Sequence, residues 1–237
     1  MKKTILVTLL SASAMMLFAT SADAKTFGDT TDVGVSFKSD EATIPGENQP
    51  FANNISLIWK PGNFEFGEQK AVGASATFNN ISTDKQYLVV NDDRQLDSVP
   101  AWDLKAQLSD LTATDGTKLT SKLIYTLEDA QSYDIGEVDP NTNDFTPKNP
   151  ASDSTVLGTL DPDSKIVLAG GKKSMTLEAG QTTAQAAIQK TEANAIKGGV
   201  ATQIKDIKLV VTDPKADDAA GKAFTGTVNW TLDDLQP

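Results

Sequence analysis

Neither cysteine nor histidine occurs in this 237-residue chain. Without cysteine there is no disulfide, no thiolate nucleophile and no thiolate metal ligand. Without histidine the Ser-His-Asp and Cys-His arrangements fall away, and with them the usual zinc sets. Positive charge is scarce too. The chain carries 21 Lys and Arg against 32 Asp and Glu, a formal net charge of −11. Nucleic acid needs a basic face, so it is not an expected partner. Direct adhesion to anionic lipid or to an anionic polymer is disfavoured for the same reason. The acidity suits solubility outside the cell.

Long apolar runs are missing as well, except at the start. Lys2 and Lys3 precede a largely apolar stretch from Ile5 to Phe18, and Ala22-Asp23-Ala24 has the small-x-small form of a cleavage site. Residues 1–24 therefore read as a secretory signal peptide. No later run approaches membrane-spanning length, so no transmembrane span is expected in the mature chain. Cleavage would remove Lys2, Lys3 and Asp23, leaving a chain from Lys25 with a net charge of −12. What remains suffices for one generous domain or two tight ones.

Alternation of apolar and polar residues marks strands. After an apolar run from Tyr87 to Val90 comes a polar turn with Asp92, Asp93 and Arg94. Trp102, Leu104, Ala106 and Leu108 then alternate with Asp103, Lys105 and Gln107. Near the end of the chain Phe224, Gly226, Val228, Trp230 and Leu232 share one parity. A Trp-x-Leu triplet thus lies in a strand near the middle and again in the last strand. This pairing suggests that the two strands tie together the ends of one sheet system. Ile55, Leu57 and Trp59 predict another strand. Leu119 to Leu127, Ile166 to Ala169 and Ile204 to Val211 predict three more. Met175 and Leu177 form a weaker pair, and Phe64 and Phe66 read as core fillers. Residues 25–42 form an N-terminal extended segment. Val33, Val35 and Phe37 alternate there, as in an edge strand or a tether left loose after export.

Two stretches are less regular. Glu128 to Leu157 is rich in Asp, Asn, Pro, Ser and Thr, and reads as a long polar insertion, 128–157. It is either a surface excursion or a mobile segment. Thr182 to Lys197 is Ala-rich, which fits a helix by propensity and also the inner side of a crowded sheet. The sum is eight to eleven strands with at most one short helix. That predicts a mostly β domain over 43–237, a β-sandwich or an irregular β-barrel.

Chemistry is thin. Carboxylate pairs are the acid/base option left without His. Asp92, Asp93 and Asp97 lie close in sequence, but Asp in a turn beside a strand is ordinary. No catalytic residue is assigned. Asp139 to Asn143 copies the opening of a calcium loop. Asp144 and Pro150 then stand where that loop needs Gly and Glu, so no metal or cofactor is assigned either. Arg94 either forks to a carboxylate such as Asp92, pinning the link between two core strands, or faces a ligand. Trp102 and Trp230 lie on the apolar parity of their strands and are expected in the core, as is Trp59.

These residues resemble the WxL-domain surface proteins of Gram-positive bacteria. The resemblance rests on the leader, Val90-x-Asp92-x-Arg94, Phe64-Glu65-Phe66-Gly67, and the two triplets Trp102-Asp103-Leu104 and Trp230-Thr231-Leu232. It covers about Thr43 to Leu235 and matches the short form, a leader followed by the domain. Gln95 stands where the family often has Gly, and the 128–157 insertion is long. The resemblance implies a non-catalytic, secreted protein held noncovalently at the cell wall and bound to peptidoglycan. It also implies assembly with larger WxL proteins and a membrane-anchored surface partner, and roles in adhesion to a host matrix protein. Two readings stay open: a wall-binding module, or an interaction subunit that reaches the wall through a partner.

Overall fold

The computed structural model describes residues 26–34, 51–69, 75–171, 173–213 and 218–235. The expected signal peptide and the residues Val35 and Phe37 lie outside them. In chain order the strands are β1 (Thr26–Gly34), β2 (Ile55–Trp59), β3 (Asn63–Glu65), β4 (Ala76–Asn79), β5 (Gln86–Asp92) and β6 (Trp102–Leu108). Next come β7 (Leu111–Ala113), β8 (Lys118–Leu119), β9 (Ser121–Leu127), β10 (Gln131–Tyr133), β11 (Val138–Asp139) and β12 (Asp144–Phe145). The last are β13 (Leu157–Gly158), β14 (Ile166–Leu168), β15 (Ser174–Glu178), β16 (Gln185–Lys190), β17 (Gly198–Val211) and β18 (Phe224–Asp234). Their number exceeds expectation because many are only two or three residues long, too short to show a period. Three 3₁₀ turns are the only helical elements among the described residues.

Two sheets face each other. The first runs β14-β16-β6-β18-β1-β3, and the second is built on β13-β10-β17-β5-β2, with β9 and β4 also on β17. Leu88, Val90, Leu123, Tyr125, Val200 and Ile204 from the second sheet meet Trp102, Leu104, Leu108, Val228, Trp230 and Leu232 from the first in one apolar core. Phe64 and Phe66 are wholly buried in it. This is the expected mostly β sandwich. β1 lies inside the first sheet, antiparallel to β18 and parallel to β3, and so is not an edge strand.

Three expectations are decided or corrected. Of the two readings open for Thr182 to Lys197, the crowded sheet is found and the helix is not. The stretch contains β16, which pairs with β6 across a bulge between Ala186 and Ile188. Ala187 and Ile188 are fully buried there, so small side chains serve a crowded sheet and override helix propensity. Trp59 is buried, but not in the main core. A register shift between Leu57 and Trp59 breaks the alternation. Ile58 and Trp59 therefore face outward from the second sheet, into a smaller cluster with Tyr87, Val89 and Tyr133.

The third correction concerns 128–157, which is neither a loose excursion nor structureless. β10 joins the second sheet beside β17, and Tyr133, Ile135, Phe145 and Val156 roof the outer cluster. Its polar residues build the turns that make this roof. Asn149 Oδ1 accepts from Ala151 N at 2.9 Å, and Asp153 Oδ1 accepts from Thr155 N at 3.1 Å. Strand β5 is consequently buried on both faces along its whole length.

Gly199 lets the roof close. It pairs with Tyr133, and a Cβ there would sit 2.3 Å from the Tyr133 carbonyl oxygen and 2.7 Å from its ring. Gly199→Ala is expected to cost about 1–3 kcal/mol, since the obstacle is backbone and cannot turn aside. Urea unfolding measures it. Wild-type stability in this variant would show that β10 does not lie so close to β17.

Candidate functional site

The two Trp-x-Leu triplets come together on neighbouring strands. β6 and β18 pair antiparallel, with Leu104 opposite Leu232, Ala106 opposite Trp230 and Trp102 opposite Asp234. Residues directly opposite in such a ladder share a face. The inward face thus carries Trp102, Leu104, Trp230 and Leu232, all 1% exposed or less. Trp230 packs against Tyr125 of the facing sheet at 6.4 Å between ring centres. The middle residues point the other way. Asp103 accepts from Gln189 Nε2 at 2.8 Å, and Lys105 Nζ donates to Asp233 at 2.7 Å. The hydrogen bond to Asp233 outweighs burial and raises the Lys105 pKa. Thr231 lies on this same outer face, half-buried, opposite Lys105.

The turn pair closes inward. Arg94 Nε donates to Asp92 Oδ1 at 2.8 Å and Arg94 Nη2 to Asp92 Oδ2 at 2.7 Å, a two-pronged fork. A second carboxylate was not legible. Arg94 Nη1 also donates to Asp234, and Nη2 reaches the Pro100 carbonyl at 2.9 Å. Asp92 ends β5 in one sheet and Asp234 ends β18 in the other, so this guanidinium clasps the sandwich shut at one end. Burial alone would lower the Arg94 pKa. The hydrogen bonds and charges of Asp92 and Asp234 outweigh it and raise the value. Gln95 keeps a negative φ, so the turn has no need of the glycine that often stands there.

Lys190 completes the cluster. It lies opposite Trp102 on β16, so Lys190, Trp102 and Asp234 form one cross-strand row on the inner face. Lys190 is 2% exposed. Its Nζ donates to the Ile196 carbonyl at 2.8 Å, and no carboxylate among the described residues lies within ion-pairing distance of it. Burial lowers its pKa, with the Asp92 charge opposing and the Arg94 charge assisting. Two cations and two anions thus lie buried around Trp102, whose Nε1–H has no partner among the described residues. A cavity of about 130 Å³ opens beside them, lined by Asp92, Trp102 and Lys190 among others. Sequence reasoning missed Lys190. Read as a strand, Ile188 and Lys190 share parity, and a Lys on an apolar parity is the signal.

Other acidic residues do not gather. Asp93 accepts from Asn53 N at 2.8 Å, and Asp97 is exposed. Asp139 Oδ1 is taken up by Asn141, closing the β11–β12 turn. Among the described residues no three acidic side chains converge as a metal site. The family model described as WxL domain surface cell wall-binding matches residues 29–235. No curated protein and no solved structure matches the chain.

Proposed function

The chain belongs to the WxL family of surface cell-wall-binding domains, and from that premise we propose that it binds peptidoglycan directly and noncovalently, without catalysis. Membership makes it a secreted protein of the cell wall and cell surface. The reading is carried by the extent of the match. Residues 29–235 take in β2 to β18 and the whole buried charge cluster. In this reading Trp102, Leu104, Trp230 and Leu232 hold the fold and do not touch the wall, because they are buried. Asp92 and Arg94 close the sandwich, while Asp103 and Thr231 belong to its wet outer face. The leader 1–24 is removed on export, and 43–237 act as one domain behind a segment 25–42 whose β1 pairs with β18.

A second reading has its own observation. Among the described residues β14 ends the first sheet, pairing only with β16, and Val167 on it is 42% exposed. An open strand edge with an apolar side chain suits another protein. The net charge of −12 behind the leader also disfavours contact with anionic wall polymers. Such a partner would be a larger WxL protein, a membrane-anchored surface protein or a host matrix protein.

One experiment separates the two. The chain is recovered after export, and its intact mass reports cleavage behind Ala24. It is then cosedimented with peptidoglycan stripped of anionic polymers, in low and high salt. Saturable binding in both salts is expected. Binding that waits for a membrane-anchored partner would replace direct recognition with assembly.

A further inference from the structure

We propose that the cavity beside Trp102 is a receptor for a small carboxylate of the wall, of the kind carried on a methyl-bearing carbon, with Lys190 as its anchor. The inference rests on the wall-binding reading and gives it a site.

Charge comes first. Arg94 is saturated by Asp92 and Asp234. Among the described residues Lys190 Nζ donates only to the Ile196 carbonyl, which leaves donor capacity on a buried ammonium. A buried cation without a directly paired anion is costly unless something else uses it. Trp102 lines the same cavity, and its Nε1–H, buried behind the lining, has no partner among the described residues. Asp92 in the cavity wall already uses both its oxygens on Arg94. The wall of the cavity therefore offers the Lys190 ammonium as a donor and asks for an acceptor.

Size and polarity narrow the ligand. A cavity of about 130 Å³ compares with an engineered apolar cavity of about 150 Å³ that holds benzene. A three-carbon acid fits within such a space. Leu160, Ile166 and Ile196 line it as well and offer apolar surface to a methyl group. The mouth is open, since Thr159, Lys197 and Gly198 line the cavity and are exposed. The exposed Lys197 adds positive charge there. Asp161, also at the mouth, spends one oxygen on Asp163 N at 2.8 Å.

Two wall groups share this chemistry: the alanine-type carboxylate that ends a stem peptide, and the lactyl carboxylate of muramic acid. Titration followed by two-dimensional amide NMR distinguishes them. The probes are D-alanyl-D-alanine, N-acetylmuramic acid, and N-acetylglucosamine, which has no carboxylate. One or both acids should give saturable shifts at Gly198, Gly199 and the Trp102 indole, and N-acetylglucosamine should give none. D-alanyl-D-alanine alone points to the peptide end, and N-acetylmuramic acid alone to the lactyl group. Lys190→Met should weaken binding at least tenfold. If that variant is unfolded, Leu160→Trp fills the half-buried rim without altering the buried charges and should block binding equally. Shifts by neither acid, or equal affinity in a folded Lys190→Met protein, overturn the proposal. Sacculus binding that persists in that case leaves wall recognition standing and moves it elsewhere. Loss of both rejects the wall-binding reading itself.

Discussion

Arg94→Ala is expected to destabilise the domain by about 3–5 kcal/mol, the usual consequence of removing one partner from a buried ion pair. The guanidinium is 7% exposed, and it serves two carboxylates, Asp92 at 3% and Asp234 at 5%. Its removal takes the fork from Asp92 and one partner from Asp234, both nearly fully buried. Asp92 and Asp234 also belong to different sheets, so the variant loosens the end of the sandwich as well as its charge balance. Urea unfolding at unchanged slope would report the loss as a lower midpoint. Arg94→Lys keeps the charge but cannot reproduce the fork, so it should recover only part of the deficit. Adding Asp92→Asn to Arg94→Ala removes one stranded charge and should regain stability, which a simple lost hydrogen bond would not do. A change under about 0.5 kcal/mol in Arg94→Ala, the size of an ordinary surface substitution, would show that the clasp is not closed in solution.

The strands that carry the triplets were legible because their periods are clean. Trp102 to Leu108 reads buried at every second residue, and so does the end of β18. The repeated triplet suggested one sheet system for the two strands, but that they are direct neighbours was not legible. Elsewhere the period failed for physical reasons. The bulge after Leu57 turned Trp59 to the outer face. In 128–157 the apolar residues Tyr133, Ile135, Phe145 and Val156 lie too far apart for any period, yet each covers the second sheet. A hint existed in β5. The unbroken run Tyr87-Leu88-Val89-Val90 is apolar on both parities, which a sheet open to water on one side does not tolerate. Something had to cover it, and the polar stretch was the available chain. The buried charges were half legible. The Asp92–Arg94 fork is local, whereas Asp234 lies 140 residues from Arg94 and Lys190 lay in a stretch left between helix and strand.

Trp230→Ala is expected to cost about 3–5 kcal/mol through the cavity it leaves. The indole has no exposed surface and fills the space between β18 and Tyr125 of the opposite sheet. Domains of this kind are stable by only about 5–15 kcal/mol, and no disulfide supports this one. One substitution would therefore remove a large share of the total. Circular dichroism against urea measures it without relying on the altered fluorophore. Trp230→Phe retains a ring against Tyr125 and should lose less. Wall binding then has to be read beside the melting curve. The expected pattern is that Trp230→Ala loses peptidoglycan binding in step with its folded fraction, while cooling or a stabilising osmolyte restores both together. If Trp230→Ala melts within about 0.5 kcal/mol of wild type and still fails to bind, the indole is a contact residue and its buried place between the sheets is wrong. The motif that marks the family would then be a surface that reads the wall. On the geometry of β6 and β18 it is the seam on which the middle and the last strand of the chain meet, and the wall is met by what that seam holds in position.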